Sequence, residues 1–260
     1  ENVAFPSSMV DRIVPAATDE SKARAQELLG LEDRLSLETE TFLQWVIEDD
    51  FRNGKPDWTI GGALFVDHVA PYEDMKLRLL NGSHTLIAHL GILQGLECVR
   101  DVMAVPENVT LVRRHMQAAA ATLEPVPGIE IAQYIHQLIA RFSNKAIAHR
   151  CIQIAMDTSQ KLPQRILAPA EVALAKGADT LSFAYVIALW VASILKRGTL
   201  DDPRSEEILN AVTSAQRDFA ASAIFEVSDF VPESLRGSKE FRESVDVQYG
   251  EIARNYLSSI

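Results

Sequence analysis

The sequence has few features of a nucleic-acid-binding, disulfide-linked or membrane-spanning protein. Its 25 lysines and arginines are outnumbered by 36 aspartates and glutamates, and the net charge of −11 argues against a phosphate backbone as partner. The two cysteines, Cys98 and Cys151, have no CxxC or Cys/His spacing, so neither a disulfide framework nor a zinc site is supported. Their use fits a reducing cytoplasm. The longest apolar run, residues 183–195, is shorter than the roughly 18 residues of a membrane span, and we expect a buried helix there.

Two kinds of binding motif are also missing. The 12 glycines never take the GxGxxG spacing that cradles a dinucleotide phosphate between a strand and a helix. No HExxH sequence or group of carboxylate ligands is present either, which predicts a site that works without a metal. The sequence begins at Glu1 with neither a methionine nor a signal leader, so we expect it to begin inside a longer protein.

What the sequence does contain is enough apolar material for a large core, since 47% of its residues are hydrophobic and the mean hydropathy is +0.01. Residues 1–18 have the composition of a connector, with a turn at residues 6–8. Residues 41–69 are β-prone, and almost every later segment has helical periodicity. We therefore predict a mainly α fold with a small β element near residues 41–69. The predicted helices cover residues 21–29, 71–93, 98–103, 108–122, 131–142, 144–160, 171–176, 181–197, 205–225 and 241–257, with a turn at residues 161–165.

Three chemically different polar side chains lie on the leucine-rich segment KLRLLNGSH, residues 76–84. A helix advances about 100° per residue around its axis. With Lys76 set at 0°, Glu73 falls at about 60°, His84 at about 80° and Asn81 at about 140°, so all four side chains share one face. Gly82 costs roughly 1 kcal/mol in a helix interior, which indicates that another group approaches this backbone closely. Periodicity alone nevertheless favours an ordinary surface helix.

The same segment resembles the catalytic helix of the long-chain mannitol dehydrogenase family, whose pattern is K-x4-N-x2-H. Upstream, residues 3–15 match V-x-F-x-x-S-x-V-D-R-I-x-P, which is similar to the pattern by which the family is recognised. Downstream, residues 144–165 resemble the family's block with an Asp, a Ser and Lys-x-Pro-x-Arg. Because the three segments occur in the family's order and cover most of the chain, the sequence is identified as similar to the family's C-terminal domain.

The resemblance implies a role for each residue that matches a family motif. Lys76 is then the general acid or base on the substrate carbinol, while Asn81 and His84 bind and polarise the reacting oxygen. Glu73 would help pass the proton to solvent, although an acid at a helix start explains it equally well. The implied substrate contacts are Lys161 and Arg165, and the implied cofactor contacts are Ser8, Asp11 and Arg12.

The substrate contacts depart from the family at one position. The family often places an arginine eight residues before the lysine that corresponds to Lys161, where this sequence has Gln153. An amide cannot form the bidentate, charge-assisted pair that a guanidinium makes, so Arg150 is a candidate to replace it. For Lys161 and Arg165 a plainer interpretation is open, namely cations at a helix C-terminus, each favourable by about 0.3–1 kcal/mol.

The resemblance further implies NAD as cofactor, bound mainly by an N-terminal Rossmann domain of the same protein. Residues 1–18 would connect that domain to a helical substrate and catalytic domain, residues 19–260, of the 6-phosphogluconate dehydrogenase C-terminal type. Since the glycines of this chain form no phosphate cradle, we expect that the 260 residues alone do not turn over substrate.

The implied reaction interconverts a ketose or keto-uronate and its polyol or aldonate. The sequence is nearest to family members acting on D-fructuronate and D-mannonate, with fructose and mannitol as the alternative pair. The expected protein is a cytoplasmic monomer or homodimer that binds neither nucleic acid nor membrane. A function of another class stays open, that of a helical interaction or dimerisation module that has lost catalysis.

Overall fold

Helices form most of the computed structural model, which describes residues 3–227 and 229–257. Residues 1, 2, 228 and 258–260, which belong to the predicted connector and helical domain, lie outside the described residues. The predicted mainly α fold is confirmed. The α-helices are α1 (Asp19–Leu29), α2 (Ala70–Met75), α3 (Gly82–Gln94), α4 (Val99–Val102), α5 (Pro106–Ala120), α6 (Ile131–Phe142), α7 (Cys151–Ile154), α8 (Thr158–Leu162), α9 (Ala168–Ala175), α10 (Leu181–Arg197), α11 (Ser205–Ser214), α12 (Glu233–Arg236) and α13 (Lys239–Tyr256).

Other helical turns join some of these elements. Turns of π-helix cover Lys76–Asn81 and Pro163–Leu167, and 3-10 turns cover Trp58–Gly61, Arg217–Phe219 and Ser222–Glu226. The helix predicted over residues 205–225 is wrong beyond Ser214, where α11 ends and the chain continues in 3-10 turns.

The small β element is a sheet of β1 (Ser8–Asp11), β2 (Gln44–Glu48) and β3 (Ala63–Val66). Strand β2 is central and pairs antiparallel with β1 and parallel with β3. The predicted β element near residues 41–69 is therefore confirmed, except that residues 58–61 form a 3-10 turn.

The first strand differs from the prediction for this segment. A turn was expected at residues 6–8, whereas β1 begins at Ser8. Met9 and Asp11 are buried while Ser8 and Val10 are exposed, which is the alternation of a strand with one face on the core. The neighbouring β2 supplies the pairing that local propensity could not reveal. This strand sets the position of residues 10–13 beside the helices.

The core is built around α10, the longest apolar run of the sequence. Its residues from Phe183 to Ile194 are buried apart from Tyr185, and it packs against α3 and α13. Gly198, with φ of 66°, ends the helix in the left-handed conformation that favours glycine. The predicted buried helix is thus confirmed. No helix in the described parts of the chain is both long and apolar enough to cross a membrane.

The greatest difference from prediction lies between residues 144 and 175. The single helix expected over residues 144–160 is wrong, since α7 begins only at Cys151 and Asp157 interrupts the chain with φ of 51°. The turn expected at residues 161–165 is also wrong, because α8, the second π-turn and α9 run on continuously. Pro163 lies at the first position of that π-turn. Proline has no N–H to donate, so the helix passes Pro163 without a backbone hydrogen bond from this residue to the preceding turn.

The two π-turns meet at Gly82, where the sequence predicted a close approach. A Cβ atom at Gly82 would lie 3.2 Å from the carbonyl oxygen of Arg165 and 3.3 Å from Nε2 of His115. Both neighbours are held in the core, so neither can withdraw cheaply. Glycine at this position lets the two helical segments pack against each other.

We expect Gly82→Ala to destabilise the protein by about 1–3 kcal/mol, because overpacking outweighs the better helix propensity of alanine. Urea unfolding would measure it. Gly250→Ala is the matched control, since Gly250 lies in α13 and its Cβ would meet only Arg254 Nη1 at 3.8 Å. That change should stabilise the helix by about 0.5–1 kcal/mol. If both variants increased the free energy of unfolding by the same amount, the packing argument would be contradicted.

Candidate active site

A cavity of about 270 Å³ lies where the first π-turn, the second π-turn and the segment after β1 converge. It brings together most of the residues that the sequence singled out. The lining residues are Arg12, Ile13, Val14, Ala16, Lys76, Leu80, Asn81, His84, His149, Gln153, Ile154, Lys161 and Arg165.

The first π-turn explains how Lys76, Asn81 and His84 reach one cavity. The N–H of Gly82 donates to the carbonyl of Leu77, five residues earlier, so this turn holds one residue more than an α-helical turn. In a regular α-helix Asn81 would lie about 140° around the axis from Lys76. The wider π-turn reduces this angle, so the side chains of Lys76 and Asn81, five positions apart, lie closer together. Such π-turns are frequent at functional sites.

Lys76 is held at the cavity by the strand beneath it. Its Nζ donates a hydrogen bond to the carbonyl oxygen of Val10 in β1. Asn81 is half-buried, and its side-chain amide has no hydrogen-bond partner among the described residues. An ammonium group fixed by one carbonyl, next to a free amide, can donate to an oxygen atom placed between them.

His84 forms the inner wall of the cavity. Its ring packs 4.6 Å from Phe142 and 5.0 Å from His149, measured between ring centroids. Burial lowers the pKa of His84 well below 6.5, and the neighbouring His149, Arg165 and Arg141 lower it further. Burial also lowers the pKa of His149, to about 4, with a contribution from Lys161. Both imidazoles are therefore neutral at pH 7, and Nε2 of His84 is buried without a partner in the described chain.

The charge of the cavity is one-sided. Arg12, Lys76, Lys161 and Arg165 line it, whereas no carboxylate of the described residues does. None of the four cations forms a salt bridge with another described residue. In a chain of net charge −11, this group of cations gives the cavity a local positive charge that suits an anionic ligand.

Lys161 and Arg165 differ in how they are held. Nζ of Lys161 donates to the carbonyls of Ile154, at 3.2 Å, and Met156. Arg165 makes one long hydrogen bond, from Nη1 to Thr85 Oγ1 at 3.4 Å, and its Nε is buried without a partner among the described residues. Since the helix continues to Ala175, neither residue lies at the helix C-terminus that the plainer interpretation required.

Four residues named from the sequence do not line this cavity. Glu73 is exposed, and Ser8 is exposed with its Oγ accepting from Trp45 Nε1 at 2.9 Å. Arg150 lines a separate cavity and pairs with Glu97 at 3.2 Å. The carboxylate of Asp11 is fully buried and bound by Arg141 and Tyr134.

Sequence reasoning missed His149, Arg141 and Tyr134. His149 was missed because it was placed within the helix predicted over residues 144–160, whereas it lies in the irregular segment before α7. Arg141 did carry one: it is seven residues after Tyr134 and falls on the apolar face of α6 that includes Leu138. A charge on that face indicates a buried partner.

Buried histidines also predict how stability depends on pH. Burial lowers the pKa of His89 to about 3 and that of His115 to about 4. On unfolding each returns to about 6.5 and takes up a proton below that pH, so stability is lost as the pH falls from about 6.5 to 4. Each should contribute a loss of about 2 kcal/mol between pH 7 and pH 5.

The test is urea unfolding at pH 5, 6 and 7. His89→Gln should flatten the dependence, because glutamine does not titrate. His136→Gln, at an exposed position of α6, should leave the slope unchanged. An identical slope in all three proteins would exclude His89 as a source of the pH dependence.

Comparisons with known proteins identify the family of this chain. The sequence matches the mannitol dehydrogenase C-terminal domain over residues 68–253 and the mannitol dehydrogenase Rossmann domain over residues 1–60. The D-mannonate oxidoreductase of Escherichia coli K12 is 39% identical over 259 residues, covering 97% of this chain and 53% of that protein. An oxidoreductase of the same organism, YdfI, is 43% identical over 222 residues, covering 83% of this chain and 46% of that protein.

A solved structure is similar over the same region. The mannitol 2-dehydrogenase of Pseudomonas fluorescens, in a ternary complex with NAD and D-mannitol, aligns with a TM-score of 0.88 and 33% identity over 98% of this chain and 53% of that one. This chain thus spans about half the length of the relatives it matches. With a C-terminal-domain match over most of its length, the chain belongs to the mannitol dehydrogenase family of oxidoreductases.

Proposed function

We propose that this chain is the substrate-binding half of an NAD-dependent oxidoreductase that interconverts D-fructuronate and D-mannonate. The observation that carries the proposal is the cavity in which Lys76, Asn81 and His84 lie beside Lys161 and Arg165, with no carboxylate from the part of the chain that the structure describes. The first three residues suit an alcohol or carbonyl group, and the two cations suit the carboxylate at the other end of a sugar acid.

Bound NAD would supply or accept the hydride, and residues of this chain would donate or accept the proton. In the direction of reduction the Lys76 ammonium gives its proton to the carbonyl oxygen, and in oxidation the amine takes it from the hydroxyl. Asn81 donates from its amide to the same oxygen. Neutral His84 adds a hydrogen bond from its ring. Their combined effect is to stabilise the negative charge that develops on this oxygen.

Of the three residues that the family pattern implies as NAD contacts, Arg12 alone lines the cavity. Arg12 lines the cavity and would face the cofactor, although its Nε and Nη2 donate to the carbonyl of Glu40 at 3.0 and 2.8 Å. Ser8 keeps its hydroxyl proton for a ligand, whereas Asp11 is buried against Arg141. We propose that most of the NAD contacts come from a dinucleotide-binding domain of the same protein.

We propose further that residues 1–18 lead from that domain into the helical domain of residues 19–260, in a cytoplasmic protein. The match of residues 1–60 to the Rossmann domain supports a connection to such a domain, although this match extends to residue 60 and the C-terminal-domain match begins at residue 68. The free thiols of Cys98 and Cys151 are both buried, which suits a reducing compartment.

A mannitol 2-dehydrogenase acting on fructose and mannitol is the second candidate. It is favoured by the fold, since the mannitol 2-dehydrogenase of Pseudomonas fluorescens has the TM-score of 0.88. The two candidates differ in the charge of the substrate, and the unpaired cations of the cavity favour the sugar acid.

Steady-state kinetics on the protein joined to its dinucleotide-binding domain would test the proposal. We expect kcat/KM for D-fructuronate to exceed that for D-fructose by at least about 100-fold, because a site built for a charged group discriminates strongly against a ligand without it. The 260-residue chain alone should be inactive with both. Comparable efficiency on fructose would overturn the choice of substrate, and turnover by the isolated chain would overturn the need for a second domain.

A further inference from the structure

We infer that Arg141 is a positioning residue for Lys76, acting through Asp11 and strand β1. The inference rests on the proposed catalytic function of Lys76. Arg141 itself lines no part of the cavity. It lies near the end of α6, directly before Phe142, whose ring packs against His84.

Arg141 binds two carboxylates that are both removed from water. Its Nη2 lies 2.6 Å from Asp11 Oδ1 and 2.7 Å from Glu40 Oε1, while Nη1 reaches Asp11 Oδ2 at 3.0 Å and Nε reaches Glu40 Oε2 at 2.9 Å. The side chains are 8%, 0% and 4% exposed for Arg141, Asp11 and Glu40. The planar guanidinium thus fixes two separate chain segments in one orientation.

Tyr134 completes the attachment of Asp11. Tyr134 also lies in α6, and its hydroxyl donates a hydrogen bond of 2.6 Å to Asp11 Oδ2. Burial and the adjacent carboxylate raise the pKa of Tyr134 well above 10, so the phenol remains a donor. Both oxygens of Asp11 are therefore bound by α6.

The consequence for the cavity follows from the sequence of β1. Val10, whose carbonyl accepts from Lys76, directly precedes Asp11. On the other side, Glu40 accepts from the N–H of Ile13 at 2.6 Å, and its carbonyl accepts from Arg12. The segment of residues 10–13 is thus fixed at both ends by groups that Arg141 holds, and this segment supplies the partner of Lys76 and part of the cavity wall.

Stability alone is a weak explanation of this network. Replacing a buried ion pair by apolar side chains is often neutral or stabilising, because the desolvation of the charges offsets their attraction. Directional bonds to a backbone segment, however, restrict its position. A displacement of about 1 Å near a reacting group can lower a rate by about 100-fold, so the network has a clear use in holding Val10 and Lys76.

The experiment compares Arg141→Lys with Arg242→Lys in the enzyme that contains both domains. Arg242 is the control, because it pairs with Glu226 at 2.9 Å and lies 5.4 Å from the ring centroid of Phe225, yet belongs to α13 and does not line the cavity. Arg141→Lys keeps a charge but loses the bidentate geometry. We expect its kcat to fall by about 10-fold to 100-fold, with KM changed less than about twofold and a larger primary deuterium isotope effect. Arg242→Lys should alter none of these.

The double variant Lys76→Met/Arg141→Lys separates positioning from a general structural effect. If Arg141 acts through Lys76, the double variant should be no slower than Lys76→Met alone, since the two changes share one pathway. Tyr134→Phe keeps the ion pair and loses one hydrogen bond, so it should lower kcat by about twofold to fivefold. This variant replaces Arg141→Lys as the test if Arg141→Lys does not fold.

The outcomes distinguish the inference from the function on which it rests. A Lys76→Met enzyme with normal kcat would overturn the proposed function. A slow Lys76→Met enzyme combined with unchanged kcat and isotope effect in Arg141→Lys and Tyr134→Phe would overturn only the positioning role. Additive losses in the double variant would show that Arg141 acts independently of Lys76 and would overturn the inference.

Discussion

Lys76→Met is expected to lower kcat by about 10²–10⁴-fold, the usual contribution of a positioned acid or base. Methionine keeps an unbranched side chain but carries no transferable proton. The ammonium of Lys76 is fixed by the carbonyl of Val10 and lies beside Asn81 at the cavity. Steady-state kinetics with D-fructuronate and reduced NAD would measure the loss, and urea unfolding would check that the fold is retained.

Lys196→Met is the matched control for this experiment. Nζ of Lys196 also donates to a backbone carbonyl, that of Leu93 at 2.8 Å, but the residue does not line the cavity. Loss of that hydrogen bond should cost about 0.5–1.5 kcal/mol of stability and leave kcat within about twofold. A Lys76→Met protein with normal kcat and altered assembly would instead support a helical interaction module that has lost catalysis.

Regular periodicity made some elements predictable almost to the residue. The helices α6 and α10 have the predicted bounds, because an amphipathic face in one case and a long apolar run ended by Gly198 in the other leave little freedom. The strand at Ser8 and the helix through Pro163 were not predictable in this way. Each depends on a partner that is distant in sequence. The strand pairs with β2, and the helix packs against Gly82 at the end of the first π-turn.

The same distinction explains which site residues could be found. Lys76, Asn81 and His84 lie within nine residues on one continuous helical segment, so their spacing was informative. The positions of Arg150 and Arg165 relative to the cavity were not predictable, because they depend on the break at Asp157 and on the helix that continues past it. Arg141 was missed for another reason: an amphipathic pattern was read only for its apolar residues.

Arg165→Gln is expected to lower kcat/KM for D-fructuronate by about 10-fold to 100-fold and to leave that for D-fructose within about threefold. A hydrogen bond to a charged group contributes about 1.5–3 kcal/mol, and about 1.4 kcal/mol corresponds to tenfold. Burial lowers the pKa of Arg165 to about 10, so the guanidinium stays charged at neutral pH. Within the described chain the guanidinium makes a single hydrogen bond, from Nη1 at 3.4 Å. It therefore retains donors for a carboxylate.

Arg150→Gln decides whether this effect belongs to the cavity or to positive charge in general. The two variants remove the same charge by the same substitution, but the Arg150 side chain is 54% exposed, pairs with Glu97 and lines a different cavity. An exposed pair of this kind contributes about 0–1 kcal/mol, so Arg150→Gln should change neither substrate's kcat/KM by more than about twofold. Equal losses on fructuronate and fructose in Arg165→Gln would mean that Arg165 supports the fold of the site, and the carboxylate would then have to bind elsewhere.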